Sequence, residues 1–335
     1  MRIYLEVGVR RVDCPICGKV KRETLEWLAN NPHFTKRFAL QVGKMCREQT
    51  VSRVATLLRL HWETVKDLEK QYLQKLVDRA GTPAPRAIGI DEVSIRKGHV
   101  YRIVISDLDR KRPIWFGGEG RREEDLEMFF DWLGPRKTAK IRLAVMDMWK
   151  PFTNVIRLRP HIRIIYDEFH ILRHLNDALD QVRRQEYFRL SQKDRRFIKG
   201  QRYTLLSKWN HLGREGRKSL RTLFDANKRL FKAYLLKESF GSLWKYRHPT
   251  WARKFFDNWK AQLRWQRLRP LEKFAAMIER HWDGIISYSE VDNKVSLGFV
   301  EGANNKIRVI QRRAYGIRDE EYLHLKILAS FIPEH

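Results

Sequence analysis

The chain of 335 residues carries 68 Lys and Arg against 40 Asp and Glu, a formal net charge of +28. With 43% hydrophobic residues it is not a disordered chain by composition, and at a mean hydropathy of −0.57 it has no run near the ~20 apolar residues of a membrane span. A surplus of that size repels itself unless a polyanion neutralises it, which points to nucleic acid ahead of an anionic membrane surface.

No charged-then-apolar leader opens the chain, so secretion is not indicated. The three cysteines, Cys14, Cys17 and Cys46, argue against a disulfide framework and for a reducing cytoplasm. Cys14-Pro-Ile-Cys17 has the spacing of one zinc knuckle, but tetrahedral zinc needs four ligands and no second CxxC follows. Cys46 and His33 would complete a set only by coincidence. The balance is against a stable zinc site, and Cys46 reads as buried packing.

Residues 33–48 alternate basic and apolar positions at helical spacing. Behind Thr50 as an N-cap, Val51, Val54, Ala55 and Leu58 form a one-sided helical stripe. After a break at Arg59–His61, Trp62, Val65, Leu68 and Tyr72 form a second. Two short helices, a tight turn and a small alanine at the crossing suit a helix-turn-helix. An ordinary helical hairpin is the bland alternative, since the turn lacks the usual glycine. The basic context tips the balance to DNA binding. Glu63, Thr64, Lys66, Asp67 and Lys70 would then be the faces that meet a groove.

"DRAGTPAPRA", residues 78–87, is a boundary. Beyond it "AIGID", "VYRIVISD" and "RPIWFGG" read as strands, with Tyr101, Ile103 and Ile105 on one face. A helix follows, striped by Leu126, Phe129, Phe130 and Leu133. "IRLAVMD" and "HIRIIYD" are further strands, with a short helix opened by Pro151 between them. The pattern implies an α/β sheet, partly antiparallel and partly parallel. From Glu168 to about Ser287 the strand signal vanishes in an all-helical block with Trp209, Trp244, Trp251, Trp259, Trp265 and Trp282. Most of these read as core, with one or two left as stacking platforms.

Three strands end in aspartate: Asp91, Asp147 and Asp167. Ligand sites in open α/β sheets gather at strand ends, so such carboxylates can converge. Gathered carboxylates need cations between them. Mg²⁺ is commonly held by one or two carboxylates plus substrate phosphates. Two such ions, ~3.5–4 Å apart, stabilise the attacking and leaving oxygens of a phosphodiester substitution. The plain alternative for Asp91 is a solvated strand end. Glu92 points away from it by strand alternation, and Asp107 and Asp109 read as turn formers. The basic run Arg96–His99 reads as a turn near a phosphate backbone. Glu301, Asn305, Arg308 and Arg312 share one helical face, with Gly316 as a C-cap. That face can set a metal ligand beside DNA contacts. On spacing alone, a solvated amphipathic face explains it more simply. Glu168, His170 and His174 have the wrong order for a zinc-protease helix.

"GIDEVSIRKGHVYRIVISDLD", "AVMDMWKPF", "IIYDEFHILRHLNDALDQVRR" and "VEGANNKIRVIQRRAYGIRD" together resemble the ISL3-type insertion-sequence transposases of bacteria, from about residue 9 to about residue 331. The resemblance implies a DDE-type enzyme. Its fold would be α/β, an RNase H-like catalytic core with a large all-helical insertion and an N-terminal helix-turn-helix. It implies Asp91, Asp147 and Glu301 as metal-binding acids, spaced by 56 and 154 residues. Asp167-Glu-Phe-His170 resembles a Cys/Asp-x-x-His signature, in which His170 contacts the scissile phosphate and Asp167 supports it. The implied cofactor is a pair of Mg²⁺ or Mn²⁺ ions. The implied chemistry is hydrolysis that frees a 3′-OH, then in-line attack of that 3′-OH on target DNA. The implied partners are double-stranded terminal repeats and target DNA. Thr64, Lys66, Lys70, Asn305, Arg308 and Arg312 are the expected DNA contacts, and the protein is expected to be at least a dimer on DNA and cytoplasmic, with the nucleoid. The expected divisions are 1–30, 31–80, 84–170, 171–287 and 288–335. Family members open with a zinc ribbon of two Cys pairs. "MRIYLEVGVRRVDCPICGK" resembles only its second half, which implies a truncated or misassigned start. Two other functions compete: a decayed or domesticated element that only binds DNA, against which the three intact acids argue, and a free-standing RNase H-like nuclease, against which the helix-turn-helix and the insertion argue.

Overall fold

The computed structural model describes residues 4–31, 33–96, 100–189, 195, 198–290, 293, 295, 298–314 and 316–333. Lys97, Gly98 and His99 of the basic run lie outside the described residues. The chain divides into two units, Met1–Gly81 with Arg313–His335, and Thr82–Arg312.

In the first unit, β1 (Arg11–Asp13) and β2 (Val20–Arg22) pair antiparallel around the turn that carries Cys14 and Cys17. Three helices follow: α1 (Lys36–Glu48), α2 (Val51–Leu58) and α3 (Trp62–Ala80). Thr35 and Thr50 cap the first two, their hydroxyls accepting the N–H of Phe38 and Arg53. Arg59 closes α2 at φ 51°, taking the left-handed position that a glycine would fill more cheaply. The turn therefore forms without its customary residue. Val42, Cys46, Val54, Ala55, Val65 and Leu68 make the core. A Cβ on Gly43 would lie 2.2 Å from the Tyr72 ring, so α1 and α3 meet where one of them has no side chain.

The last helix, α15 (Glu320–Ala329), belongs to this same unit. Tyr322, Leu325 and Ala329 pack on Tyr72 and Leu73 of α3. Glu69, 1% exposed, accepts hydrogen bonds from the Tyr322 hydroxyl and from Lys326 Nζ at 2.6 Å.

The second unit is built on five strands: β3 (Ala87–Arg96), β4 (Val100–Asp107), β5 (Arg112–Gly117), β6 (Leu143–Met146) and β7 (Arg163–Tyr166). Their order is β5-β4-β3-β6-β7. The first three pair antiparallel, and β6 and β7 add in parallel. Asp107 accepts the N–H groups of Asp109 and Arg110, which makes the turn expected there. α4 (Glu123–Leu133) and α6 (Lys150–Arg157) cover one face through Phe129, Phe130, Phe152 and Val155; α5 (Pro135–Thr138) is a single turn between them.

Helices then run from Glu168 to Ile286, among them α7 (Glu168–Arg189), α8 (Arg202–Leu206), α9 (Arg214–Ala226), α10 (Lys228–Phe240), α11 (Pro249–Leu263), α12 (Arg269–Arg280) and α13 (Trp282–Ile286). Trp259 is 1% exposed at their centre, edge-on to Phe240, with its indole N–H donated to the Leu236 carbonyl at 2.9 Å. Trp209, Trp244 and Trp282 pack against that core, while Trp251 and Trp265 are exposed.

The chain returns to the sheet in α14 (Gly298–Arg313), whose buried stripe is Val300, Ala303, Asn304 and Ile307. Val300 sits with Ala87, Leu143, Val145 and Ile165 on the face away from α4. A Cβ on Gly89 would meet Val300 Cγ2 at 2.5 Å, so the helix rests directly on the strand backbone. Gly89→Ala is therefore expected to lower stability by about 1–3 kcal/mol by overpacking. Gly302→Ala, whose methyl meets nothing, should raise it by about 0.4–1 kcal/mol through the unfolded chain. Urea unfolding followed by circular dichroism checks both signs.

Candidate active site

Sheet register decides where the three aspartates go. Gly89 pairs with Val145, and Val145 with Ile165. Two residues further along each strand come Asp91, Asp147 and Asp167. Asp91 is in the interior of β3, where it pairs with Val104, while Asp147 and Asp167 directly follow the ends of β6 and β7. α14 covers the Asp91 face, and Val300 and Asn304, one helical turn apart, match Gly89 and Asp91, one pleat apart. Asn304 Nδ2 donates to Asp91 Oδ2 at 2.5 Å.

Each acid also takes a local backbone donor. Asp91 accepts the Glu92 N–H at 2.8 Å, Asp147 the Met148 N–H at 2.6 Å, and Asp167 the Phe169 N–H at 2.8 Å at the start of α7. Burial, then the charge of Glu92, pushes Asp91 up to about 7; the Glu92 amide and His170 oppose this, and Asp167 adds to it. Burial also raises Asp167, against the Phe169 amide and His170 and with help from Asp147 and Glu301. Five acids thus feel one another. The His170 Nδ1 is buried without a hydrogen-bond partner.

Glu92 lies on the opposite face, as alternation requires, yet it is no bystander. Arg121 Nη2 reaches it at 2.7 Å while stacking over Tyr101 and Trp149, 4.6 and 4.8 Å from the ring centroids. Burial raises the Glu92 carboxyl, Arg121 pulls it down and Asp147 pushes it up. Among the described residues no three His, Cys, Asp or Glu side chains are grouped closely enough to clasp an ion. The donor set is nonetheless all oxygen and crowded with negative charge, which fits a hard divalent cation held by one or two carboxylates and completed by phosphate.

The comparisons with known proteins agree with one another. A family model described as a transposase of the ISL3 group matches residues 88–327, and the model for the helix-turn-helix domain of transposase family ISL3 matches residues 23–73. The transposase for insertion sequence element IS1001 of Bordetella parapertussis is 33% identical over 334 residues, 98% of this chain and 82% of the relative. The transposase for IS1557 of Mycobacterium tuberculosis is 27% identical over 350 residues, 96% of this chain and 77% of the relative. No solved structure matches. The chain belongs to the ISL3 family of transposases.

In this ISL3 transposase the other expected site residues fall out as follows. Glu301, Asn305, Arg308 and Arg312 are all exposed on one face of α14, and Arg308 donates to the Asn305 side chain at 3.1 Å. Thr64 is half-buried on α3. Lys66 and Lys70, expected on exposed faces, are half-buried on α3 and ion-paired. Lys66 pairs with Asp319 at 2.8 Å, and Lys70 with Glu321 at 2.5 Å, both acids at the start of α15. Cys46 is buried in the helix core with its thiol pushed up to about 12 by burial and Glu69, so it is packing rather than a metal ligand. The Cys14 thiol is lowered, first by the Cys17 backbone N–H and then by that of Ile16. No described helix is long and apolar enough to cross a membrane.

Asn304 was not singled out by sequence. It is 3% exposed, and its Oδ1 is buried without a partner. The available signal was an asparagine inside the otherwise apolar stripe Val300, Ala303 and Ile307.

The raised Asp91 carboxyl has a consequence for stability. The folded chain keeps a proton there that the unfolded chain releases near the ordinary carboxylate value of 3.8. Metal-free stability should therefore be fullest below that value, decline as pH rises to about 7, and level off above it. Asp91→Asn should flatten the decline. Urea midpoints at about pH 5 and about pH 8 measure it, and an equally steep fall in the variant would place the responsible group elsewhere.

Proposed function

We propose that this transposase cuts the ends of an insertion sequence and joins them to target DNA, using Asp91, Asp147 and Glu301 as metal-binding acids on an RNase H-like core. The observation that carries the proposal is the electrostatic linkage of Asp91 with Asp167, and of Asp167 with Asp147 and Glu301, where Asn304 of α14 holds Asp91. The strand order, three antiparallel strands extended by two parallel ones with helical crossovers, supports the RNase H-like description, and the helical block between β7 and α14 supports its reading as an insertion.

Divalent magnesium or manganese, two ions at full loading, would activate water and then the 3′-OH and stabilise the attacking and leaving oxygens. Asp91 and Asp147 offer neighbouring carboxylates, and Glu301 approaches from the exposed side of α14. Asn304 orients Asp91 by donating to one of its oxygens. Asp167 caps α7 and sets His170, whose unpartnered Nδ1 is available to a phosphate oxygen. Asn305, Arg308 and Arg312 continue the Glu301 face and suit the flanking backbone. Thr64 meets the groove through the helix-turn-helix; Lys66 and Lys70 join it by exchanging their carboxylates for phosphates. The terminal repeats and the target are double-stranded DNA, two ends call for at least a dimer, and the place of work is the cytoplasm with the nucleoid. The zinc reading stays against a stable site at Cys14 and Cys17.

Asp147→Asn is expected to lower both cleavage and joining by about a thousandfold or more, the scale of losing a group that stabilises charge in the transition state. Binding to the element end should survive. Cleavage persisting in that variant would remove Asp147 from the site. Affinity for DNA should also fall steeply with salt, because a chain of charge +28 binds by displacing counterions. A flat logarithmic plot of affinity against salt would contradict the charge argument.

A further inference from the structure

The loop between α11 and α12 holds an aromatic ring out to solvent at a conformational cost. Leu263 and Leu268 pin its ends in the core at 3% and 0% exposure, and Pro270 is buried in the first turn of α12. Between them Trp265 is 85% exposed, the most exposed tryptophan among the described residues. Its φ is +71° and that of Arg267 is +52°, both in the left-handed region that side chains bearing a Cβ disfavour. The loop is braced. The Gln266 N–H donates to the Leu263 carbonyl at 3.1 Å, and Arg229 donates to the Arg267 carbonyl at 2.5 Å. Arg229 is itself tied to Glu186 of α7 at 3.1 Å. A single exposed aromatic ordinarily needs no explanation. One presented by a strained, braced turn does.

Its surroundings select the ligand. The Arg264 guanidinium lies 5.5 Å from the Trp265 ring, and Arg264, Arg267 and Arg269 are all exposed. No Asp or Glu occurs between Asp257 and Glu272. A flat π-surface among cations suits a base with its phosphates. In an intact duplex the faces of the bases are occupied by their neighbours, so an exposed ring has a partner only where a base leaves the stack.

We propose that the Arg264–Arg269 loop is a nucleobase clamp, in which Trp265 stacks on an unpaired or extruded base and Arg264, Arg267 and Arg269 hold the adjoining phosphates. The inference rests on the transposase reading only in taking DNA as the ligand. Stacking on a ring tolerates any base, so the clamp would recognise distortion rather than sequence.

The test uses the full chain and two DNA probes with the same sequence, one fully paired and one with a single 2-aminopurine left unpaired. Wild-type protein should bind the unpaired probe more tightly and quench its fluorescence. Trp265→Ala should lose about tenfold or more of the affinity for the unpaired probe, abolish the quenching, and leave the paired probe unchanged. Trp265→Phe should restore most of the quenching. Trp251→Ala removes another exposed tryptophan of the helical block and should change neither probe. Matching thermal transitions establish that the variants fold. Equal binding of both probes by wild type and Trp265→Ala overturns the clamp, as does an equal loss on both. Lost binding to anionic phosphatidylserine vesicles with DNA binding intact would assign the loop to a lipid surface and overturn it too. Failure here with Asp147→Asn still blocking cleavage leaves the proposed activity standing; cleavage surviving in Asp147→Asn with the clamp result intact removes the acid site alone.

Discussion

A helix lying on a strand with no side chain between them is the contact on which the rest of the catalytic unit depends. Val300 of α14 occupies the space that a Cβ on Gly89 would claim. That approach sets the helix at the height where Asn304, one turn on, reaches Asp91, one pleat on. Moving α14 outward by the width of a methyl group would break the Asn304–Asp91 hydrogen bond and carry Glu301 away from the aspartates. Glycine at position 89 is thus required by the neighbour rather than by the backbone.

These acids resist being together. Burial and mutual repulsion lift the Asp91 and Asp167 carboxyls, against the donors that hold them. Glu92 enters the same electrostatic group from the far side of the sheet, with Arg121 held over Tyr101 and Trp149 as its counter-charge. On the α14 face His170 is the group that draws the Asp91 and Asp167 carboxyls back down.

Much of this was legible in the sequence, and the gaps have physical causes. The strands showed themselves because buried strands are runs of apolar residues, and Asp91, Asp147 and Asp167 were conspicuous as the charges that stop those runs. Their mutual electrostatic reach was not legible, because it depends on how the strands pair and no single strand contains that. Asn304 was hidden for a related reason: beside Asn305 it is one of two like residues, and only the phase of α14 over Gly89 sends one inward and the other to solvent. The helix-turn-helix was readable from its stripes and from Thr50, but Lys66 and Lys70 looked free because their partners, Asp319 and Glu321, lie some 250 residues away in the chain.

Those two ion pairs bear on how the basic surplus is spread. A net charge of +28 suggests a recognition helix bristling with cations, yet α3 shows Glu63, Asp67 and Asp78 exposed and two of its lysines facing carboxylates. Exposed Lys36, Arg37, Lys44 and Arg53 sit instead on α1 and α2. In a helix-turn-helix the first helix crosses the backbone while the second enters the groove. On the proposed DNA-binding reading, those supporting helices are the ones that would hold phosphates. On the same reading, Lys66 and Lys70 reach DNA only by giving up Asp319 and Glu321, so the non-specific pull of α3 would be lower than its lysine count suggests.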